Sequence, residues 1–271
     1  METELPAPTA VMSYRLLEAD EPPPVLEYRR DGRSPFVIAV DHAGRRIPRR
    51  LGSLGLPPSE LERHTAWDIG ALEVAKRVSA ALDAPLVAQE YSRLVIDCNR
   101  IPGSESSIVT MAESVNVPGN LDLSGEEVSA RRAEIFEPYH SRLCALLYER
   151  RAAQRPTILV TQHTMTNVLK GIRRDMHAAV LYDRDRRFAG IVLEMLRKNN
   201  ELLIAENEPY LVQLTHYTVP HHAEAHSLPY VEVEIRQDLV TDETGQAEWA
   251  KRIAKALQDA EQIYYGQCQA P

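Results

Sequence analysis

The stretch Thr157-Ile-Leu-Val-Thr-Gln-His-Thr164 decides the predicted fold, because it is a short apolar run that ends close to a histidine. Pro35-Phe-Val-Ile-Ala-Val-Asp-His42 has the same design, and Ala43-Gly44 follows it. Short apolar runs bounded by turn residues are typical of strands that are buried on both faces of a sheet. The two runs therefore predict an α/β sheet with an imidazole at the end of each strand.

A third run alternates in polarity. In Tyr230-Val-Glu-Val-Glu-Ile-Arg236 the charged side chains Glu232, Glu234 and Arg236 share one face of the strand, and the apolar side chains share the other. Charged groups in line on an interior face of a sheet are costly unless they line a site. On an edge strand with a solvated face the same pattern would have no functional meaning, so both interpretations stay open at this point.

Strands and helices alternate along the chain, which predicts a three-layer α/β/α domain with a mostly parallel mixed sheet. The expected strands are residues 36–41, 85–90, 92–97, 157–162, 177–182, 201–206 and 229–235. The expected helices are residues 59–82, in two parts if Gly70 breaks them, 124–151 with Ser124 as N-cap, 186–198 and 242–263. We interpret residues 1–34 as an extended N-terminal arm and residues 35–265 as a single domain.

Composition limits the class of protein. The chain has 271 residues, of which 44% are hydrophobic and 26% charged, and a net charge of −8. These values are ordinary for a soluble globular protein and unlike those of a basic nucleic-acid-binding domain. No apolar run is long enough to span a membrane and no signal peptide is recognisable, so the cytoplasm is the expected location. Cys98, Cys144 and Cys268 are far apart and are expected to be unpaired thiols.

The strand-end histidines His42 and His163 are the leading candidates for chemistry. Ligands bind at the carboxyl ends of strands in open α/β sheets. Two imidazoles and a carboxylate at such an edge could bind one divalent metal ion and a water, which predicts a hydrolase. Asp68 is the candidate third ligand, with an exposed or helix-capping carboxylate as the other interpretation. Asp41 directly precedes His42, and its side chain is expected to point to the opposite face.

Polar residues also bracket the predicted strand at 92–97. Arg93 precedes its apolar residues, and Asn99-Arg100 follows them. One arginine can bind a substrate carboxylate with two parallel hydrogen bonds, aided by the asparagine amide, and the other can stabilise an oxyanion. Ordinary surface basicity is the other interpretation. Glu234 is the candidate general base, since a carboxylate beside an activated water commonly has this role in amide hydrolysis.

Five blocks of the sequence resemble the N-formylglutamate amidohydrolase family over about residues 34–260. They are His42-Ala-Gly-Arg-Arg-Ile-Pro48, Ala66-Trp-Asp-Ile-Gly-Ala71, Ser92-Arg-Leu-Val-Ile-Asp-Cys-Asn-Arg100, Asn207-Glu-Pro-Tyr210 and Val231-Glu-Val-Glu-Ile-Arg-Gln-Asp-Leu239. The resemblance implies a fold similar to that of zinc carboxypeptidases and aspartoacylases, with zinc as the expected divalent metal.

The resemblance also implies roles for individual residues. His42 and His163 would bind the metal. Arg93 would stabilise the oxyanion, and Glu234 would act as the general base. The substrate would be bound by Asn99, Arg100, Arg236 and Tyr210. The relatives have an acidic metal ligand three residues after the first histidine, where this chain has Arg45, and Asp68 is taken as third ligand for that reason.

Two other blocks bear on the pocket. Thr161-Gln-His-Thr-Met165 stands where members of the family often have Ser-x-His-Ser-Phe, so an aromatic residue of the pocket wall is missing. His222-Ala-Glu224 resembles a His-Gly-Glu block of the family. Two roles for this block stay open: a contact with the substrate, and an ion pair that fixes a loop.

The expected function is hydrolysis of N-formyl-L-glutamate, or of a similar small anionic N-acyl amino acid, to formate and L-glutamate. We expect a monomer or homodimer that has neither nucleic acid nor membrane as a partner. Two rival interpretations stay open: a deacylase or peptidase of different acyl specificity on the same scaffold, and a non-catalytic ligand-binding homologue that has lost the metal. Fold similarity alone does not separate them.

Overall fold

A seven-stranded sheet forms the centre of the protein. The computed structural model describes residues 14–212 and 216–268. The strands of this sheet are β1 Val25–Tyr28, β2 Phe36–Val40, β3 Leu86–Gln89, β6 Ile158–Met165, β9 Ala178–Leu181, β10 Ile204–Glu206 and β11 Tyr230–Arg236. Two short hairpins supply the others, β4 Met111–Ala112 with β5 Val115–Asn116 and β7 Val168–Leu169 with β8 Ile172–Arg173.

The sheet is mixed, and its central strands are parallel. Its spatial order is β1-β3-β2-β6-β11-β9-β10. Strand β2 is parallel to β3 and β6, and β6 is parallel to β11, whereas β1 and β3 are antiparallel, as are β11 and β9. The carboxyl ends of β2, β6 and β11 therefore meet at one edge of the sheet, as the apolar runs predict.

Helices cover both faces of the sheet, which confirms the three-layer α/β/α prediction. They are α1 Pro58–Leu61, α2 Ala71–Leu82, α3 Gly125–Arg131, α4 Glu137–Ala152, α5 Arg187–Arg197 and α6 Glu243–Cys268. Helices α2, α5 and α6 pack together on one face, over the apolar side chains of β2 and β11 that point that way. On the other face α4 packs against β1 and β3.

Local signals in the sequence explain where several helices begin. Gly70 directly precedes α2 with φ 79°, a left-handed conformation that suits glycine. The helix predicted at 59–82 is in two parts, but the prediction is wrong for residues 62–70, which are not helical. Ser124 caps α3: its hydroxyl accepts a hydrogen bond from the backbone N–H of Glu127, whose carboxylate accepts one from the backbone N–H of Ser124. A π-helical turn at residues 132–136 joins α3 to α4.

Residues 92–97 form turns, so the strand predicted there is wrong. Leu94 and Val95 are buried, as the apolar pattern indicates, but their carbonyl groups bond to side chains. Asn120 Nδ2 donates to the carbonyl oxygen of Leu94 at 2.9 Å, and Arg131 Nη1 donates to that of Val95 at 3.0 Å. Side chains far along the chain thus replace the hydrogen bonds that a neighbouring strand would supply.

Part of the N-terminal arm belongs to the sheet, because β1 pairs with β3 at its edge. Residues 1–13 of the arm lie outside the described residues. Cys98 and Cys144 are unpaired thiols, and the side chain of Cys268 is outside the described part. Among the described helices, none combines the length and apolar character needed to cross a membrane.

The turn that carries His42 depends on a close approach of two backbone segments. A Cβ atom at Gly44 would lie 1.8 Å from the carbonyl oxygen of Glu90, so only glycine fits between the chain after β2 and the chain after β3. A Cβ at Gly125, at the start of α3, would meet no atom within 4 Å.

We expect Gly44→Ala to lower the free energy of unfolding by about 1–3 kcal/mol, because the backbone must shift to accept the methyl group. Gly125→Ala is the matched control and should leave stability unchanged or slightly higher, since alanine favours helix more than glycine does. Urea denaturation of the two variants and the wild type measures the difference. Equal stability of all three proteins would contradict the close approach at Gly44.

Candidate metal centre and active site

A small polar cavity lies at the edge of the sheet where β2, β6 and β11 end. Its volume is about 80 Å³. In register, Glu234 of β11 stands next to His163 of β6, so their side chains share a face. The cavity is lined by His42, Asp68, Arg93, Asn99, Arg100, His163, Thr164, Tyr210, His216 and Glu234.

The structure brings the three predicted metal ligands together. Single ligand atoms of His42, Asp68 and His163 lie within 4.8 Å of one another, and all three residues are buried. Oδ2 of Asp68 lies 2.8 Å from Nδ1 of His163 and 3.4 Å from Nδ1 of His42. Asp68 is only 3% exposed. Its carboxylate is therefore not the exposed or helix-capping group that was the other interpretation of the sequence.

Two further carboxylates contact the two histidines at the ring nitrogens that face away from Asp68. Nε2 of His42 lies 2.7 Å from Oδ1 of Asp97, and Nε2 of His163 lies 3.2 Å from Oδ2 of Asp41. Each imidazole thus directs Nε2 to a supporting carboxylate and Nδ1 to Asp68. A carboxylate on the outer nitrogen fixes the orientation of a metal-binding imidazole and raises its basicity.

The expected orientation of Asp41 is wrong. Strand β2 ends at Val40, and Asp41 continues the alternation of Val37 and Ala39 onto the face that carries the site. Its Oδ1 accepts hydrogen bonds from Tyr139 Oη at 2.8 Å and from Thr218 Oγ1 at 2.7 Å. His42 reaches the same site because the chain turns after the strand.

The donor set fits a cation. Nδ1 of His42 is buried and has no hydrogen-bond partner among the described residues, while Nε2 faces the carboxylate of Asp97. Nδ1 therefore carries a lone pair directed at the space beside Asp68. Burial alone would lower the pKa of His163, but the bonds to Asp41 and Asp68 raise it well above its usual range. A divalent ion could take the place of the proton that His163 shares with Asp68.

Glu234 has the properties of a group that exchanges protons near neutral pH. It is 5% exposed, and burial raises its pKa to about 8, against the opposing effect of His163. Its Oε2 has no hydrogen-bond partner among the described residues. A buried carboxyl group with a raised pKa beside a cation site is typical of general acid–base catalysis.

Arg93 is held in place by two aspartates. Its Nε and Nη2 donate to Oδ2 of Asp97 at 3.0 and 2.7 Å. Nη1 lies 3.4 Å from Oδ1 of Asp68, a long contact, and is the donor least committed to the protein. Burial opposes the charge of Arg93, but Asp97 and Asp68 raise its pKa further, so the guanidinium is a fixed cation in the cavity wall.

Three predicted substrate contacts lie in the cavity wall. Arg100 donates from Nη1 to the carbonyl of Asn99 at 2.8 Å and forms no ion pair with a carboxylate of the described residues. Oδ1 of Asn99 accepts from the backbone N–H groups of Tyr217 and Thr218, which leaves its amide group as a donor. Tyr210 also lines the cavity.

The structure does not bring Arg236 to the cavity. Its Nε donates to Asp238 at 2.8 Å, and Nη1 donates to the carbonyl oxygens of residues 174–176. Arg236 shares the face of Glu234, as the alternation predicts, but its long side chain reaches past the site and fixes a loop.

The His222-Ala-Glu224 block also lies outside the cavity wall. Nε2 of His222 lies 2.9 Å from Nδ1 of His140, and Glu224 accepts from the backbone N–H of Arg184 and from the hydroxyl of Tyr230. Of the two roles left open for this block, the contacts are those of a loop-fixing group.

Sequence reasoning missed His216, Asp97 and the contribution of Asp41. His216 lies in a segment without periodic pattern, and no motif points to it. Asp97 stands within the matched Ser92–Arg100 block, two residues before Asn99, and this position was the available signal. A cavity with a cation site, a proton-exchanging carboxyl and a fixed guanidinium suits the addition of water to a carbonyl group, which places the protein among the hydrolases.

The comparisons with known proteins identify the family. Residues 34–241 match the model of the N-formylglutamate amidohydrolase family. The chain therefore belongs to that family, whose members hydrolyse amide bonds, and the predicted resemblance is confirmed. A gene product of Agrobacterium tumefaciens is 34% identical in sequence, and its crystal structure has a TM-score of 0.88 over 92% of this chain and 99% of that one.

Two further relatives carry the name of the family. The chain is 32% identical over 123 residues to N-formylglutamate deformylase of Pseudomonas putida, which is 41% of this chain and 45% of that protein. The match thus spans less than half the length of this curated relative. The structure of N-formylglutamate amidohydrolase from Ralstonia eutropha is 19% identical, with a TM-score of 0.71 over 90% of this chain and 99% of that one, and it shares the fold.

We expect the wild type to bind a divalent metal stoichiometrically and His42→Ala to lose that binding, because the triad keeps only two ligands. His64→Ala is the matched control, since His64 pairs with Glu113 at 3.1 Å and does not line the cavity. Elemental analysis after dialysis measures the metal in both variants. Full metal content in His42→Ala would contradict the site.

Asp68→Asn and Asp41→Asn should differ in the size of their effect on metal affinity. Asp68 offers one of the three predicted ligand atoms, so its loss should abolish stoichiometric binding, whereas loss of the supporting Asp41 should weaken affinity about 10–100-fold. Competition with a chromogenic chelator measures both affinities. Wild-type affinity in Asp68→Asn would remove Asp68 from the metal site.

Proposed function

We propose that this protein is a metal-dependent deformylase that hydrolyses N-formyl-L-glutamate, or a closely similar small N-acyl amino acid, to formate and the free amino acid. The observation that carries the proposal is the buried triad of His42, Asp68 and His163 with Glu234 beside it in the same cavity. Membership of the N-formylglutamate amidohydrolase family and the name of the Pseudomonas putida relative support the substrate.

The triad would hold the divalent ion, and zinc is the ion that we propose, because imidazole and carboxylate ligands suit it. When bound, such an ion supplies a Lewis acid that polarises the amide carbonyl and lowers the pKa of water. Asp97 and Asp41 keep the two imidazoles turned toward that ion.

Glu234 moves the proton. In its ionised form the carboxylate, whose pKa burial raises to about 8, accepts a proton from the attacking water at Oε2, the oxygen that has no partner in the described protein. It then donates this proton to the amide nitrogen as the C–N bond breaks, which gives formate and the free amine. Nη1 of Arg93 donates to the carbonyl oxygen as negative charge develops on it.

The cation of Arg100 binds the α-carboxylate of the substrate, and the amide of Asn99 donates a further hydrogen bond to it. Arg100 is suited to this role because it has no carboxylate partner in the described protein. The complete donor set of the triad is an argument against a binding protein without catalysis.

Formate release from a panel of N-acyl amino acids tests the proposal. We expect the zinc-loaded protein to release formate from N-formyl-L-glutamate and to act much more slowly on N-acetyl-L-glutamate. Removal of the metal with a chelator should abolish activity, and added zinc should restore it. Formate release that is unaffected by metal removal, or no hydrolysis of any N-formyl amino acid, would overturn the proposal.

Glu234→Gln should reduce kcat about 10²-fold or more, because the amide is nearly isosteric but cannot accept a proton. Metal content and substrate binding should remain. Glu232→Gln is the control on the same face of β11 and should retain a much larger part of kcat. An active Glu234→Gln together with an inactive Glu232→Gln would assign the base to Glu232 instead.

Arg100→Lys should raise KM strongly while it keeps the charge, because the bidentate fork is lost, and a loss of about 1.5–3 kcal/mol is expected for a charged hydrogen bond. Arg236→Lys should leave KM unchanged, since Arg236 binds backbone carbonyls outside the cavity. Steady-state kinetics of formate release compares the two. An unchanged KM in Arg100→Lys would place the carboxylate elsewhere.

A further inference from the structure

A buried ion pair in the cavity wall has no part in the mechanism above. Nδ1 of His216 lies 3.0 Å from Oε1 and 3.3 Å from Oε2 of Glu232. Glu232 is fully buried and His216 is 8% exposed. The only other hydrogen bond to the Glu232 carboxylate among the described residues comes from Thr161 Oγ1, at 3.3 Å. Burying a carboxylate costs desolvation free energy, so the presence of this pair calls for a functional explanation.

The geometry fixes which ring nitrogen of His216 is available. Burial opposes ionisation of Glu232, but His216 lowers its pKa below the usual value, so the carboxylate is charged and acts only as an acceptor. Nδ1 of His216 therefore donates its proton to Glu232. Nε2 has no hydrogen-bond partner within the described residues, and His216 lines the cavity that holds the triad. Nε2 is thus the atom that a ligand in the cavity can contact.

The other cations of the cavity do not suffice for an acidic amino acid. N-formyl-L-glutamate has two carboxylates, and Arg100 binds one of them in the proposed function. Arg93 is paired with Asp97, and its remaining donor, Nη1, is assigned to the carbonyl oxygen of the substrate in the proposed function. Among the residues that line the cavity, His216 is the remaining basic side chain without an assigned role, and the contact of its Nδ1 with Glu232 fixes the orientation of its ring.

We propose that His216, oriented by Glu232, binds the side-chain carboxylate of the substrate and makes the enzyme selective for acidic N-formyl amino acids. This inference rests on the proposed function and assigns the second subsite of the same cavity. Glu232 acts through His216 and is a positioning residue. Specificity then comes from the oriented imidazole of His216 at the side-chain carboxylate of the substrate and from the Arg100 guanidinium at its α-carboxylate.

Kinetics with N-formyl-L-glutamate and its isosteric neutral analogue N-formyl-L-glutamine test the inference. The wild type should show a KM at least about tenfold higher for the glutamine substrate, the effect of one charged hydrogen bond. In His216→Asn the amide can still donate to Glu232 but does not reach into the cavity. Its KM for the glutamate substrate should rise to that for the glutamine substrate, with kcat for both unchanged.

Two further variants make the result specific. His216→Gln places a neutral donor nearer the position of Nε2 and should keep part of the preference. His64→Asn, in the ion pair with Glu113 outside the cavity, should keep all of it. A retained preference in His216→Asn, or an equal fall of kcat with both substrates, would overturn the inference, because the second result is that of a residue acting in the chemistry.

Binding of the product amino acids separates this inference from the proposed function. Isothermal titration of L-glutamate and L-glutamine requires no turnover. Tighter binding of L-glutamate to the wild type, lost in His216→Asn, would support the subsite even if no formate is released, and in that case only the reaction would be wrong. Equal binding of both amino acids to the wild type would overturn the subsite whatever the activity.

Discussion

The carboxylate of Asp68 lies between the imidazoles of His42 and His163, and the rest of the site depends on this arrangement. Besides Asp68, four carboxyl groups are buried at the site, those of Asp41, Asp97, Glu232 and Glu234. Buried charges are tolerated only when they are paired, and here the partners are histidines, one arginine and the position that suits a divalent ion. Positive charge at the centre of the site would offset the desolvation free energy of these buried carboxylates.

Backbone pairing in the sheet fixes the positions of these groups relative to one another. Parallel strands β2 and β6 end at the same edge, and the register of β6 with β11 sets Glu234 beside His163. The close contact at Gly44 holds the turn after β2, so that His42 faces the same space. Because backbone pairing fixes the donor atoms, the site is organised before any ligand binds, which favours catalysis.

Local patterns predicted the central strands and their histidines, because burial on both faces of a parallel sheet requires continuous apolar runs. They did not predict the turn at residues 92–97, whose carbonyls bond to Asn120 and Arg131, since such long-range bonds leave no periodic trace. The sequence candidates Asp68, Arg93 and Arg100 all line the cavity, but motif matching could not foresee that Arg236 reaches past the site. His216 was missed because its partner, Glu232, lies on a separate element.

Anomalous diffraction at the zinc edge, from crystals of the zinc-loaded protein, locates the metal and identifies its ligands. We expect a single strong peak at about 2.0–2.2 Å from Nδ1 of His42, Nδ1 of His163 and a carboxylate oxygen of Asp68. Asp97 and Asp41 should remain on the Nε2 atoms of the two imidazoles. A peak at other residues, or ligation of both histidines through Nε2, would show that the triad is not the metal site described above.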